Sequence, residues 1–262
     1  MKLVNDHFQN YKRYNIPKAQ LVIADIPYNI GENAYGSSPL WYVGGDNKNG
    51  ESDKAGKAFF DTDKDFRIKE FFHFCNKLVK PEPKGTVKEL KEKKNEPGCM
   101  IVFCAWEQQH YLVEKAREYG FPKYIPLVFR KNFSPQVLKA NMRVVGNTEY
   151  AVLFYRDKLP KFRNIGDDGK HHMVMNCMDW VRDSQTPKIH PTQKPIPVLK
   201  KLIATFTDPG DVVIDPVAGS GSTLVAAEQM GRKAYGFEIK KDMCKAFHDQ
   251  MEPLVSQLSL AI

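Results

Sequence analysis

Short apolar runs that stop abruptly at an acid set the pattern of this chain. Leu21-Val22-Ile23-Ala24 ends at Asp25-Ile26-Pro27-Tyr28, Val212-Val213-Ile214 ends at Asp215, and Ala234-Tyr235-Gly236-Phe237 ends at Glu238. Apolar residues at consecutive rather than alternate positions predict strands buried on both faces. Gly98 to Cys104 predicts another such strand, Ile125 to Phe129 and Tyr150 to Tyr155 predict an antiparallel pair, and Leu3-Val4 predicts a very short strand ending in Asn5-Asp6. Between the strands, apolar residues recur at helical spacing. Ile68, Phe71, Phe72, Cys75, Leu78 and Val79 predict a helix from about 65 to 79, and another follows Cys104 and ends near Gly120. Val198, Leu199, Leu202, Ile203 and Phe206 line a third helix, Leu224, Val225, Ala227 and Met230 a fourth that Gly231 stops, and Met243, Phe247, Met251, Leu254 and Leu258 a last one over about 242–257. Strands alternating with helices predict a single α/β domain over 1–262, with a mostly parallel seven-stranded sheet and an antiparallel hairpin at one edge.

Ligands in such sheets bind at the carboxyl ends of the strands, where the acids stand. After Asp215 comes Pro216-Val217-Ala218-Gly219-Ser220-Gly221-Ser222-Thr223, a glycine turn that opens a helix. Strand, glycine turn, helix, strand and acid is the nucleotide-binding arrangement, in which glycines admit a ligand close to the backbone and the acid takes ribose hydroxyls. No lysine follows the glycines, so a phosphate-gripping loop is not expected, and the absence of a full G-x-G-x-x-G weakens a dinucleotide reading. The first run offers different chemistry. An exocyclic amino group on a nucleic-acid base is a poor nucleophile until acceptors hold its protons; Asp25 and the Ile26 carbonyl are two such acceptors. Tyr28 offers a face for an extruded base, and Pro27 restricts Ile26 to extended geometry. Taken alone, the tetrapeptide reads equally well as a strand end with an Asx-type turn.

The two motifs together resemble the beta group of DNA amino-methyltransferases, which modify adenine at N-6 or cytosine at N-4. His190-Pro191-Thr192-Gln193-Lys194-Pro195 matches that family's third hallmark, and the order is the permuted one, catalytic before cofactor. One departure is Ile26, where the family usually has proline. The resemblance implies a circularly permuted, Rossmann-like S-adenosylmethionine-dependent fold. It implies catalytic roles for Asp25, Ile26, Pro27 and Tyr28, and cofactor contacts from Asp6, His190, Thr192, Lys194, Asp215, Pro216, Ala218, Gly219, Ser220, Gly221, Ser222 and Glu238. An acid-led tetrapeptide is more typical of the family's adenine enzymes, so N-6 adenine is the expected target. N-4 cytosine and a catalytically silent DNA-binding subunit are the alternatives. No cysteine follows a proline, which counts against a carbon-5 mechanism.

Charge refines the picture. The net charge of +8 favours a polyanionic partner, expected to be DNA. From Tyr119 to Thr148 there is no acid and there are five basic residues. The loop in that stretch leaves the predicted hairpin on the active edge, so Lys131, Lys139 and Arg143, with Asn29 beside the catalytic loop, are the expected DNA contacts. The candidate DNA-contacting and target-recognition region runs over 130–189, where His171 and His172 read as surface residues. Residues 29–60, rich in Gly, Asn, Ser and Lys, read as a flap-like insertion. The charged stretch 80–97 includes six lysines and three glutamates between Lys80 and Lys94, yet it leaves the sheet at the opposite edge and reads as a solvated insertion. Five cysteines without a C-x-x-C pair suggest reduced, mostly structural thiols and no metal site. Without a long apolar stretch or a signal-peptide pattern, the chain is expected to be cytoplasmic with no membrane partner. A homodimer and a cognate restriction nuclease stay open.

Overall fold

The computed structural model describes residues 1–28, 66–132, 146–166, 168–190 and 192–255. Among these, the apolar runs assemble into one eight-stranded sheet of β1 (Lys2–Val4), β2 (Leu21–Asp25), β3 (Cys99–Cys104), β4 (Lys123–Arg130), β5 (Thr148–Tyr155), β6 (Cys177–Asp179), β7 (Val212–Asp215) and β8 (Lys233–Phe237). The order is β1-β8-β7-β2-β3-β5-β4-β6, parallel throughout except for β5, which runs antiparallel to both β3 and β4. The sheet therefore has one strand more than the sequence predicts. The short β6 pairs with β4, so the hairpin is not the edge. Three residues of which only Met178 is buried carry no periodic signature.

Both faces of the sheet are covered, which is why the central strands read as unbroken apolar runs. Leu21 and Ile23 of β2 join a core with α4 (Ile196–Phe206), α5 (Ser222–Gln229), Phe247 and Met251. Val22 and Ala24 face the other way, onto Phe8 and the helices α1 (Ile68–Leu78) and α3 (Gln109–Glu118). The last helical segment begins where its apolar pattern suggests and continues to residue 255, where the described residues end. It forms α6 (Lys241–Ala246) and then widens to a π-helical turn over Phe247–Met251.

Chain direction decides which loops share an edge. The carboxyl ends of β1, β8, β7, β2 and β3 lie together, and β4 ends on the same side. The lysine-rich stretch lies at the other end. Val79 bridges Ala19 before β2, and Gly98 N donates to Lys80 O at 3.2 Å before β3. Between them α2 (Val87–Glu92) is closed by a capping box, with Glu89 accepting from Thr86 N at 2.7 Å, and Lys84, Lys88, Lys91, Lys93 and Lys94 are exposed. Among the described residues, no helix is long and apolar enough to cross a membrane.

Gly221 ties the glycine turn to this packing. Its φ of +73° suits glycine, and a Cβ there would stand 2.2 Å from Cδ2 of the fully buried Phe247 ring. Gly221→Ala is expected to lose about 2–4 kcal/mol, from left-handed strain and overpacking together. Urea unfolding checks this, and a midpoint equal to wild type would contradict the packing described.

Candidate active site

The strand order sets four acids side by side. Asp6 follows β1, Glu238 follows β8, Asp215 ends β7 and Asp25 ends β2. The glycine turn after β7 is bound to its neighbour, because Ala218 N donates to Phe237 O at 2.8 Å and Gly219 N to Glu238 Oε2 at 2.9 Å. Glu238 also accepts from Lys240 N at 2.8 Å, and burial raises its pKa. Asp215 is 3 % exposed and accepts from Val217 N at 3.1 Å. Burial pushes its pKa up to about 7, and the charges of Asp25 and Glu238 add to the rise. At Gly219, with φ +51°, a Cβ would meet no atom of the described residues within 4 Å, so among these residues this part of the turn faces open space. Pro216 and Ala218 are buried in the turn, and the buried hydroxyls of Ser220 and Ser222 lie 2.8 Å apart in a mutual hydrogen bond.

Beside this turn stands a compact charged cluster. Asp25 Oδ2 accepts from Lys194 Nζ at 2.6 Å, and the same ammonium lies 3.2 Å from Glu149 Oε1. Glu149 Oε1 also accepts from the Tyr28 hydroxyl at 2.6 Å, while Oε2 accepts from Lys131 Nζ. Two carboxylates and two ammonium groups thus balance in a place where an unpaired charge would be costly. Burial raises the pKa of Glu149, but Lys194 and Lys131 outweigh it and hold the group at about 2. For Asp25 burial prevails over Lys194, Glu149 adds to it, and the pKa is raised. Burial also lifts Tyr28 well above the ordinary phenol value, so it remains a hydrogen-bond donor. Asp25 Oδ1 is shielded from solvent and has no hydrogen-bond partner among the described residues. The cluster leaves one buried acceptor open.

The loop carrying Asp25 is held from both ends. Ile26 N donates to Phe103 O at 3.3 Å. Gln108 Nε2 donates to Pro27 O at 3.0 Å, and Gln108 Oε1 accepts from Ala105 N at 3.1 Å. The segment before α4 is organised by Asp183, which accepts from Thr186 N at 3.0 Å and from Ile196 N at 3.2 Å at the start of the helix. Gln193 braces the same segment through Ile189 N and Pro187 O. Thr192 Oγ1 lies 3.1 Å from His190 Nδ1, and burial together with Lys194 and Lys240 lowers the His190 pKa to about 4, so this imidazole is neutral.

Several of the expected site residues already have partners within the chain. Lys194, expected among the cofactor contacts, reaches Asp25. Lys131, expected on the DNA surface, is 8 % exposed, bound to Glu149 and 4.9 Å from the Trp180 ring centroid. An ammonium so enclosed is paired with Glu149 rather than exposed at the surface. Asp6 stands at the right edge, yet its carboxylate accepts from His7 N, Asn10 Nδ2 and the Tyr14 hydroxyl, at 2.7, 2.7 and 2.5 Å. Within 130–189, Lys161 is buried against Asp208 and Asp211, and Arg163 pairs with Glu96 and Asp208. These cations are committed near the starts of β3 and β7, away from Asp25. Asn29, Lys139, Arg143 and the 29–60 insertion lie outside the described residues. Glu149, Gln108 and Asp183 were not legible as site residues. The signal for Glu149 was its place as the acid that ends thirty acid-free residues from Tyr119 to Thr148.

Comparison with known proteins agrees with this geometry. A family model described as DNA methylase, for N6 and N4 methyltransferases, matches residues 19–249. The chain is 26% identical over 257 residues to DNA adenine methyltransferase YhdJ of Escherichia coli (strain K12), covering 92% of this chain and 78% of that protein. Among solved structures, M1.HpyAVI in complex with SAM superposes with a TM-score of 0.64 at 20% identity, covering 95% of this chain and 97% of that one. PvuII DNA methyltransferase (cytosine-N4-specific) does so with a TM-score of 0.63 at 16% identity, covering 97% and 89%. With its permuted motifs on one sheet edge and the family match running across nearly the whole chain, this protein belongs to the N6/N4 family of DNA methylases.

Proposed function

We propose that the protein transfers a methyl group from S-adenosylmethionine to the exocyclic N-6 amino group of an adenine flipped out of DNA. The observation that carries this reading is the open acceptor, Asp25 Oδ1, buried beside a glycine turn with free space at Gly219. A cationic cofactor fits the residues present. Asp25, Asp215 and Glu238 all have raised pKa values, a condition that a ligand bearing sulfonium and ammonium charges relieves. Gly219 would admit the cofactor to the backbone, and Glu238 would take its ribose hydroxyls.

When bound, S-adenosylmethionine supplies an electrophilic methyl group whose bond pair leaves with sulfur. The chain's own part is to prepare the amino nitrogen. Asp25 Oδ1 accepts one amino hydrogen and the Ile26 carbonyl the other, drawing the nitrogen toward tetrahedral geometry, while the Tyr28 ring stacks on the base. Once the carbon–nitrogen bond forms, the nitrogen holds a surplus proton. Asp25, the carboxylate with the raised pKa, is better suited to take it than Glu149 at about 2. Enclosure and positioning supply most of the rate, since no covalent enzyme intermediate is needed.

The acid-led tetrapeptide and the likeness to an adenine methyltransferase over 92% of the chain support adenine. Cytosine N-4 is the second reading, because the fold is shared with a cytosine-N4-specific enzyme. Mass spectrometry of nucleosides from cells expressing the protein is expected to show N-6-methyladenine. Finding only N-4-methylcytosine would reverse the assignment.

Asp25→Ala is expected to slow methyl transfer by about 10²–10⁴-fold while S-adenosylmethionine affinity changes little. Activity within about tenfold of wild type would remove Asp25 from its role. Gly219→Ala and Glu238→Ala are each expected to weaken cofactor binding in calorimetry. Unchanged affinity in both variants would place the pocket elsewhere.

Binding is also expected to depend on pH. Because the folded Asp215 pKa lies above the ordinary carboxylate value, its stabilising contribution is present below about pH 4 and is lost as pH rises through about 7. A cation that favours the ionised form lowers that pKa, so binding releases a proton near and below pH 7. Calorimetry at pH 6.5 in buffers of different ionisation enthalpy is expected to show the release, and Asp215→Asn to abolish most of it. Equal heats in all buffers would contradict the arrangement.

A further inference from the structure

Glu149 belongs to none of the three motifs, yet it touches two of them. It stands second in β5 and joins Tyr28 of the catalytic loop, Lys194 of the segment before α4 and Lys131 just beyond β4. Each contact has a consequence at Asp25. Lys194 Nζ is shared, 2.6 Å from Asp25 Oδ2 and 3.2 Å from Glu149 Oε1. An ammonium drawn between two carboxylates stays on the Oδ2 side of Asp25 and leaves Oδ1 without a hydrogen-bond partner among the described residues. The Tyr28 hydroxyl donates to the other acid rather than turning freely, which fixes the plane of its ring.

We propose that Glu149 is a positioning residue for methyl transfer, holding Lys194 to one oxygen of Asp25 and the Tyr28 ring in one orientation, so that Asp25 Oδ1 stays open to the amino group of the base. This rests on the methyltransferase reading above and adds a residue to it. Glu149 takes no proton itself. Its carboxylate is held ionised by the two lysines, and its charge keeps Asp25 more basic than Lys194 alone would.

A purely structural role, balancing the charges of Lys131 and Lys194, makes a different forecast. Glu149→Gln keeps the shape but leaves two buried ammonium groups facing one carboxylate, so the variant is paired with the doubly substituted Glu149→Gln/Lys131→Met, in which one positive and one negative charge are removed together. Single-turnover methyl transfer to DNA, cofactor affinity and melting temperature are measured for both. Glu149→Gln is expected to slow transfer by about 30–300-fold, within the range for lost transition-state positioning, with cofactor affinity within about threefold of wild type. The double variant is expected to regain melting temperature and to remain as slow. Recovery of both rate and stability in the double variant would show that Glu149 only balances charge and would overturn the proposal.

The pH profile supplies a readout that folding alone would not move. The groups acting on Asp25 are Lys194, Glu149, Tyr28 of its own loop, Cys104 at the end of β3 and Asp215 at the end of β7. Of these, Glu149 raises the Asp25 pKa and Lys194 lowers it. Loss of the Glu149 charge therefore moves the acid limb of the single-turnover rate to lower pH, by about half a unit or more, in both the single and the double variant. An unmoved limb, or a limb moved upward, would overturn the proposal. If Asp25→Ala is inactive while Glu149→Gln transfers methyl at the wild-type rate, the methyltransferase reading stands and the role of Glu149 falls. No methyl incorporation by the wild-type protein into adenine or cytosine would defeat both.

Discussion

Lys194 keeps a positive charge where burial works against it, and only because Asp25 and Glu149 close on it from two sides. The effective penalty for enclosing an ion is still several kcal/mol, so the pairing of charges has to be tight. This constraint reaches across the molecule. Lys194 comes from the segment before α4, Asp25 from the centre of the sheet and Glu149 from the hairpin beside β3. None of these elements can shift without separating buried charges. Phe103 lies under the cluster, 5.2 Å from Lys194 Nζ to its ring centroid, and closes it from the core side.

The same constraint gives two carboxylates different natures. Glu149 meets two lysines and stays strongly acidic, whereas Asp25 shares one and is left more basic. Environments that push paired carboxyl groups apart mark which of them handles protons. At the neighbouring strand ends burial raises the pKa of Asp215 and outweighs Lys240 in raising that of Glu238, which makes this edge receptive to a positively charged ligand. The edge of the sheet therefore divides into a half whose charges are paired and a half whose carboxyl groups are raised by burial.

Much of this was legible in the sequence because strands buried on both faces read as unbroken apolar runs, and the acids at their ends mark the carboxyl edge. Leu21 to Asp25 and Val212 to Asp215 form the adjacent parallel pair that their patterns imply. What stayed hidden depends on long-range partners. A lysine in a basic stretch looks like a DNA contact, and nothing local in Lys131 announces the glutamate eighteen residues away that buries it. Lys161 and Arg163 were hidden likewise, since their acids lie at Glu96, Asp208 and Asp211. Composition finds cations; only the fold says which are already neutralised.

The central claim is that Asp25 Oδ1 is held open for the amino group of a target base. The most direct measurement is a crystal structure of the protein with duplex DNA and a non-reactive cofactor analogue. A base turned out of the helix is expected, with its exocyclic nitrogen about 2.7–3.2 Å from Asp25 Oδ1, while Lys194 remains on Oδ2 and Tyr28 stacks on the ring. A complex in which that oxygen is taken by Lys194, or in which the flipped base lies beyond its reach, would contradict it.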